Sequence, residues 1–177
     1  MVQDHIDGIM QAWQRERPDL DWSHQEVYFR IARIAYLAEQ ALDRCSRANK
    51  LDRGQYSVLA ALRRAGAPYR LTPTDLSRTT FCTSGAMTKR LDRLERAGLV
   101  VRTPDQNDRR GVLVELTARG LDVVDATTTA AAAVTFEVMG KLTCAERETI
   151  SAILRRLEQR LAGNEDGPPD HVDNEPE

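Results

Sequence analysis

Between Thr83 and Arg110 the chain gathers hydroxyls, a glycine and cations in a pattern suited to gripping a polyanion. Thr83, Ser84 and Gly85 come first, then Thr88 and Lys89, then Arg93, with Arg109 and Arg110 side by side farther on. Read as a helix at about 100° per residue, Met87, Leu91 and Leu94 form one apolar stripe, and Gly85, Thr88, Lys89, Asp92 and Arg96 fall opposite. That outer face is small at its start and basic beyond. Small residues allow close backbone approach, and open helix N-terminal amides suit a phosphate. Thr88 and Lys89 then reach base edges or phosphates of a duplex. The paired arginines sit in a polar hairpin tip, residues 104–111. Such a tip enters a narrow A·T-rich minor groove, or else is an ordinary solvated turn.

Arg90 differs from these, because it lies beside the apolar stripe and needs an anionic partner there. A carboxylate elsewhere in the fold and a ligand anion both meet that need. Arg102 alternates with Val101 and has Asp92 or Asp105 as candidate partners. Cys82, just before the basic helix, is either an oxidant sensor or an inert thiol. Cys45, Cys82 and Cys144 show no metal spacing, and His5, His24 and His171 lie in terminal segments. No Gly-rich phosphate loop, nucleophile elbow or carboxylate pair is present. The expectation is therefore a protein that is not an enzyme and holds no cofactor or metal.

The formal net charge of −2 conceals a division. Residues 163–177 hold six acids and no Lys or Arg, so the remainder carries +4. From Arg78 to Arg110, eight basic residues stand against four acids, which is +4 in that segment alone. Positive charge is concentrated where phosphates would be met. With no apolar run long enough for a bilayer and no signal-peptide pattern before residue 20, a cytoplasmic protein is expected.

The elements that must position these residues follow from caps and periodicity. Thr72, Pro73 and Asp75 open one helix, 81–84 forms a turn, and a second helix runs 85–97 to a Gly98 cap. Residues 99–103 and 112–116 read as strands flanking the tip, with 67–71 as a third. Upstream, 4–17 is amphipathic through Ile6, Ile9, Met10 and Trp13. Ser23 and Glu26 predict a capping box for a long helix to Asn49, with Val27, Ile31, Ile34, Ala38 and Leu42 on one side. Residues 52–65 give a helix with Tyr56, Leu59, Ala60 and Leu62 inward. Thr117 caps a helix to about Lys141, whose small, uncharged middle at 127–134 predicts packing against helices. A Thr143–Glu146 capping box starts the last helix, and an acidic tail, expected to be disordered, follows Gly163. The fold class is thus mainly α with a small β wing (α+β): a winged helix-turn-helix, 51–116, between helices 1–50 and 117–162. The surplus apolar helices predict a homodimer, and two basic helices one turn of DNA apart predict a near-palindromic site. A helical protein-interaction module is the alternative of another class, which leaves the basic tip unexplained.

Over residues 24–162 this pattern resembles the MarR family of bacterial transcriptional regulators. The resemblance rests on Leu76-Ser77, on the run from Ser84 through Val100, on Asp108-Arg109-Arg110, and on the stretch from Val112 to Gly120. It implies a homodimeric repressor of a pseudo-palindromic operator, released by a small, commonly phenolic or anionic molecule. It implies recognition through Ser84, Gly85, Thr88 and Lys89, with Arg109 or Arg110 at the wing. A finer resemblance is to the urate-responsive, PecS-like branch. It is carried by an N-terminal helix with Trp13 and the following Arg17-Pro18-Asp19-Leu20-Asp21. That resemblance implies ligand residues at Trp13, Arg90 and Arg102. The branch's aspartate falls here on Ser57, so urate, another anion and no ligand all stay open.

Overall fold

The computed structural model describes residues 4–105 and 111–163 in two compact units, Met1–Ala132 and Ala133–Glu177. In the first, α1 (His5–Glu16) starts at Asp4, which forms a capping box with Asp7. Its Ile6 and Met10 are buried. α2 (Ser23–Ala48) follows, α3 (Arg53–Arg64) opens on an Asp52–Gln55 capping box, and β1 is Arg70–Leu71. α4 (Pro73–Thr79) and α5 (Ser84–Arg96) form the helix-turn-helix. β2 (Val100–Pro104) and β3 (Val112–Leu116) complete an antiparallel sheet of order β1-β3-β2, with Leu71 opposite Val114 and Arg102 opposite Val114 on the other side. Asp105 N–H donates to the Gly111 carbonyl at 2.9 Å. α6 (Ala118–Met139) leaves the sheet through Thr117, whose hydroxyl accepts from Gly120 N–H at 2.9 Å.

The core sits where α3, α5 and the sheet converge: Leu59, Leu62, Leu76, Leu94 and Val114 have no exposed surface, and Met87, Leu91 and Val100 have almost none. Each such side chain is worth about 1.5–3 kcal/mol of burial. The apolar stripe of α5 is therefore what anchors it, and the opposite face is left outward.

Two sequence expectations need correction. The Ser23–Glu26 capping box does not form; Trp22 takes the N-cap position without a side-chain bond. Asp21 accepts from Ser23 N–H at 2.9 Å, and Glu26 instead accepts from Arg30 at 2.9 Å. Arg30 also binds Asp4 and Asp7, each at 2.6 Å, and such charge-assisted bonds outcompete a neutral cap. The Arg30 guanidinium holds the Asp4 carboxyl below the usual aspartate range. On α2, Val27 (54%) and Ile34 (60%), which share one side of the helix, are exposed. The second correction concerns the small middle of α6, expected to pack against helices, of which only Thr127 is buried.

In the second unit, the end of α6 is followed by α7 (Cys144–Ala162), which starts on the expected Thr143–Glu146 capping box. Thr143 accordingly lowers the Glu146 carboxyl below its ordinary value. Arg147 ties the turn by donating to the Leu142 and Met139 carbonyls. Phe136, Met139, Ile150, Ile153, Leu154 and Leu161 are all exposed. No helix among the described residues is long and apolar enough to cross a membrane.

Candidate nucleic-acid interface

Thr72 caps α4 by accepting from Asp75 N–H at 3.1 Å, with Pro73 in the first turn. Thr83 caps α5, accepting from Ala86 N–H at 3.4 Å. Gly98, at φ +67, ends the descent from α5 and lets the chain turn into β2. With Met87, Leu91 and Leu94 buried, Thr83, Ser84, Gly85, Thr88, Lys89 and Arg93 are all exposed. A Cβ built on Gly85 meets nothing within 4 Å. Thr88 turns its hydroxyl back to the Ser84 carbonyl at 3.1 Å. Lys89 is exposed and makes no hydrogen bond or ion pair with a described residue. Arg93 lies 3.6 Å from Asp52, and its side chain is 61% exposed, so that pair is screened and weak. The remaining expected cations, Arg109 and Arg110, lie outside the described residues.

The four residues expected at a ligand site are distributed differently. Arg90 is half-buried and lies flat on the first turn of α3: a Cβ at Gly54 would stand 2.5 Å from its Nε. No described carboxylate pairs with it. Ser57 sits one turn farther along α3, its hydroxyl donating to the Arg53 carbonyl at 3.0 Å. Arg102 is occupied, donating to Asp92 at 2.6 Å and lying 3.3 Å from Glu95. Asp92 is about 200° around α5 from Arg90, so Arg102 serves the other side of that helix. Trp13 is 42% exposed and stacks on Trp22, centroids 4.8 Å apart. The structure thus brings Arg90 and Ser57 to the start of α3 and engages Arg102 and Trp13 with other partners.

Sequence reasoning missed Gly54 and Glu95. A small residue in a helix's first turn was the available signal for the first. For the second, the signal was the i, i+3 spacing of Asp92 and Glu95. Cys82 is half-buried, accepts from the Thr80 hydroxyl at 3.7 Å and faces the Thr83 carbonyl at 3.6 Å. Among the described residues no His, Cys, Asp and Glu cluster could hold a metal ion.

A profile of the MarR family matches residues 50–111. Over 159 residues the chain is 33% identical to the HTH-type transcriptional regulator PecS of Dickeya dadantii, covering 90% of this chain and 96% of that protein. The chain belongs to the MarR family. It is a transcriptional regulator with a winged helix-turn-helix, not an enzyme. Among solved structures, a MarR family regulator from Streptomyces coelicolor in complex with DNA is 26% identical with a TM-score of 0.71, covering 80% of this chain and 89% of that one. A cysteine-to-serine variant of Escherichia coli MarR complexed with operator DNA is also 26% identical, with a TM-score of 0.65 over 82% of this chain and 96% of that one. In this MarR-family chain the uncovered side of α5 carries Lys89 and Arg93, both exposed.

Proposed function

We propose that this MarR-family protein is a homodimeric repressor that lays α5 in the major groove of a pseudo-palindromic operator and is released by a small organic anion. The open face of α5 carries the reading: Gly85 unobstructed, Ser84 and Thr88 outward, Lys89 unpaired among the described residues. Arg93 and the cations Arg109 and Arg110 add phosphate-neutralising charge. Duplex affinity of this kind falls with salt, by a slope of about 0.9 for each phosphate neutralised. Lys89→Ala is expected to reduce that slope by about 1 and to relax base preference. The measurement is a salt titration of binding to duplexes enriched by the wild-type protein from a random pool. An unchanged slope and unchanged preference would remove Lys89 from the interface.

Dimerisation supplies a cover for apolar faces that each unit leaves exposed on its own. Residues 1–50 and 117–162 are the proposed dimerisation segments and 51–116 the DNA-binding segment. In the first unit, Val27, Tyr28, Ile31 and Ile34 of α2 are exposed; in the second, Phe136 of α6 and Ile150, Ile153 and Leu154 of α7 are exposed. A second copy would seat both and bring a second α5 to the next turn of DNA.

The effector reading rests on Arg90. A half-buried guanidinium with no carboxylate partner among the described residues is costly unless an anion visits it. Because Arg90 belongs to α5, an anion bound there acts first on the helix that reads DNA. It shifts operator affinity only by preferring one arrangement of the helices over another. Urate-like purines and aromatic acids are the class to try, with Ser57 in place of a carboxylate near the same turn. Arg90→Ala is expected to keep operator binding within about threefold and to lose the response to the effector. A band-shift titration in which the variant still responds like wild type would reject Arg90 as the anion site.

A further inference from the structure

The end of α4 holds an aromatic ring out in water. Phe81 is 97% exposed, more than any other large hydrophobic among the described residues. Its backbone is left-handed, at φ +48. Bonds from Cys82 N–H to the Ser77 carbonyl at 3.1 Å and from Phe81 N–H to the Arg78 carbonyl at 3.4 Å close the turn around it. A helix ending of this kind normally takes glycine or asparagine, since a β-carbon strains the left-handed region. Both local preferences therefore oppose phenylalanine. Its ring finds no compensating contact with an aromatic or cationic side chain among the described residues. Strain and an uncovered apolar group at one position mark a place where an outside surface is met.

The location says which surface. Phe81 stands two residues before Thr83, the cap of α5, and three chain steps place it at most about 11 Å from Ser84. It is thus at the open, small end of the proposed reading helix. We propose that Phe81 is an apolar DNA contact, its ring packing on the hydrocarbon of the duplex as α5 enters the groove. This rests on the operator-docking reading above. Two sources share that chemistry: the deoxyribose ring and the thymine methyl, the apolar group that A·T pairs present in the major groove. The contact releases no counterions, which separates it from the lysine and arginine contacts.

The test uses the full chain and a duplex that the wild-type protein enriches from a random pool. Phe81→Ala removes the ring, and Phe81→Asn removes it while favouring the left-handed backbone. Both variants are expected to bind that duplex roughly tenfold more weakly with the wild-type salt slope, Phe81→Ala with an unchanged Tm and Phe81→Asn with a Tm equal to or above that of wild type. Replacing the duplex thymines by deoxyuridine then separates the sources. Weaker binding by wild type but not by Phe81→Ala assigns the thymine methyl; no effect on either assigns the sugar. Wild-type affinity in both variants would overturn the proposal, as would a loss accompanied by a changed slope. A Tm lowered in step with affinity would place the ring in the fold and overturn it too. If wild type enriches no duplex, the docking reading itself fails; if wild type does and the Phe81 variants match it, only this contact fails.

Discussion

Gly120→Ala is expected to lower the stability of the winged unit by about 3 kcal/mol, the upper end for forcing one carbon into a packed site. Gly120 lies in the first turn of α6 and is buried. A Cβ there would stand 2.0 Å from the Leu99 carbonyl oxygen and 3.0 Å from its carbon, with a Leu116 methyl at 3.3 Å. A flexible side chain could yield, but a backbone carbonyl cannot without moving its neighbours. This one is fixed, because Thr117 N–H donates to it at 3.1 Å and Leu99 N–H donates to Leu94 at 3.0 Å. Arg119, next in α6, donates to the Ala97 carbonyl at 3.0 Å and pins the same junction. The glycine is therefore what lets α6 start against the end of α5. Denaturant unfolding measures the effect, and Gly120→Ser should be no better than alanine. A Gly120→Ala variant within about 1 kcal/mol of wild type would mean the junction relaxes freely.

Much of this architecture was legible in the sequence because local signals agreed with the global fold. Thr72-Pro73, Thr83, Gly98 and the Thr143–Glu146 pair each mark a helix end by chemistry that acts within four residues. The Met87, Leu91 and Leu94 stripe fixed which side of α5 faces inward, and with it the outward set from Ser84 to Arg93. What failed depended on competition between distant groups. Ser23 and Glu26 had the right spacing for a cap, but Arg30 gathers Asp4 and Asp7 from a different helix and draws Glu26 in with them. Arg102 had Asp92 and Asp105 as neighbours in the sequence, and Glu95 joined because it shares a face with Asp92. The Val27 and Ile34 stripe of α2 has helical periodicity, yet periodicity does not say whether a core or a second copy covers it. Phe81 gave no signal at all, because neither its exposure nor its left-handed backbone follows from its type.

Gly85→Glu is expected to separate folding from DNA binding. The position is exposed and a side chain there meets nothing within 4 Å, so no contact is lost. Gly85 is the second residue of α5, and replacing a helical glycine gains about 0.5–1 kcal/mol. An acid in a helix's first turn adds about 0.3–1 kcal/mol through the exposed N–H groups. The variant should therefore unfold at higher denaturant than wild type. In the groove the same carboxylate would face phosphates and acceptor-rich base edges. Like charges so placed cost several kcal/mol, which is about 100-fold or more in affinity. Gly85→Gln has nearly the same bulk without the charge, so its smaller loss measures sterics alone, and the difference between the two measures the field at the end of α5. Retained operator affinity in Gly85→Glu, with the fold intact, would mean that the duplex does not approach this end of the helix, and Ser84, Thr88 and Lys89 would lose their assignment together with it.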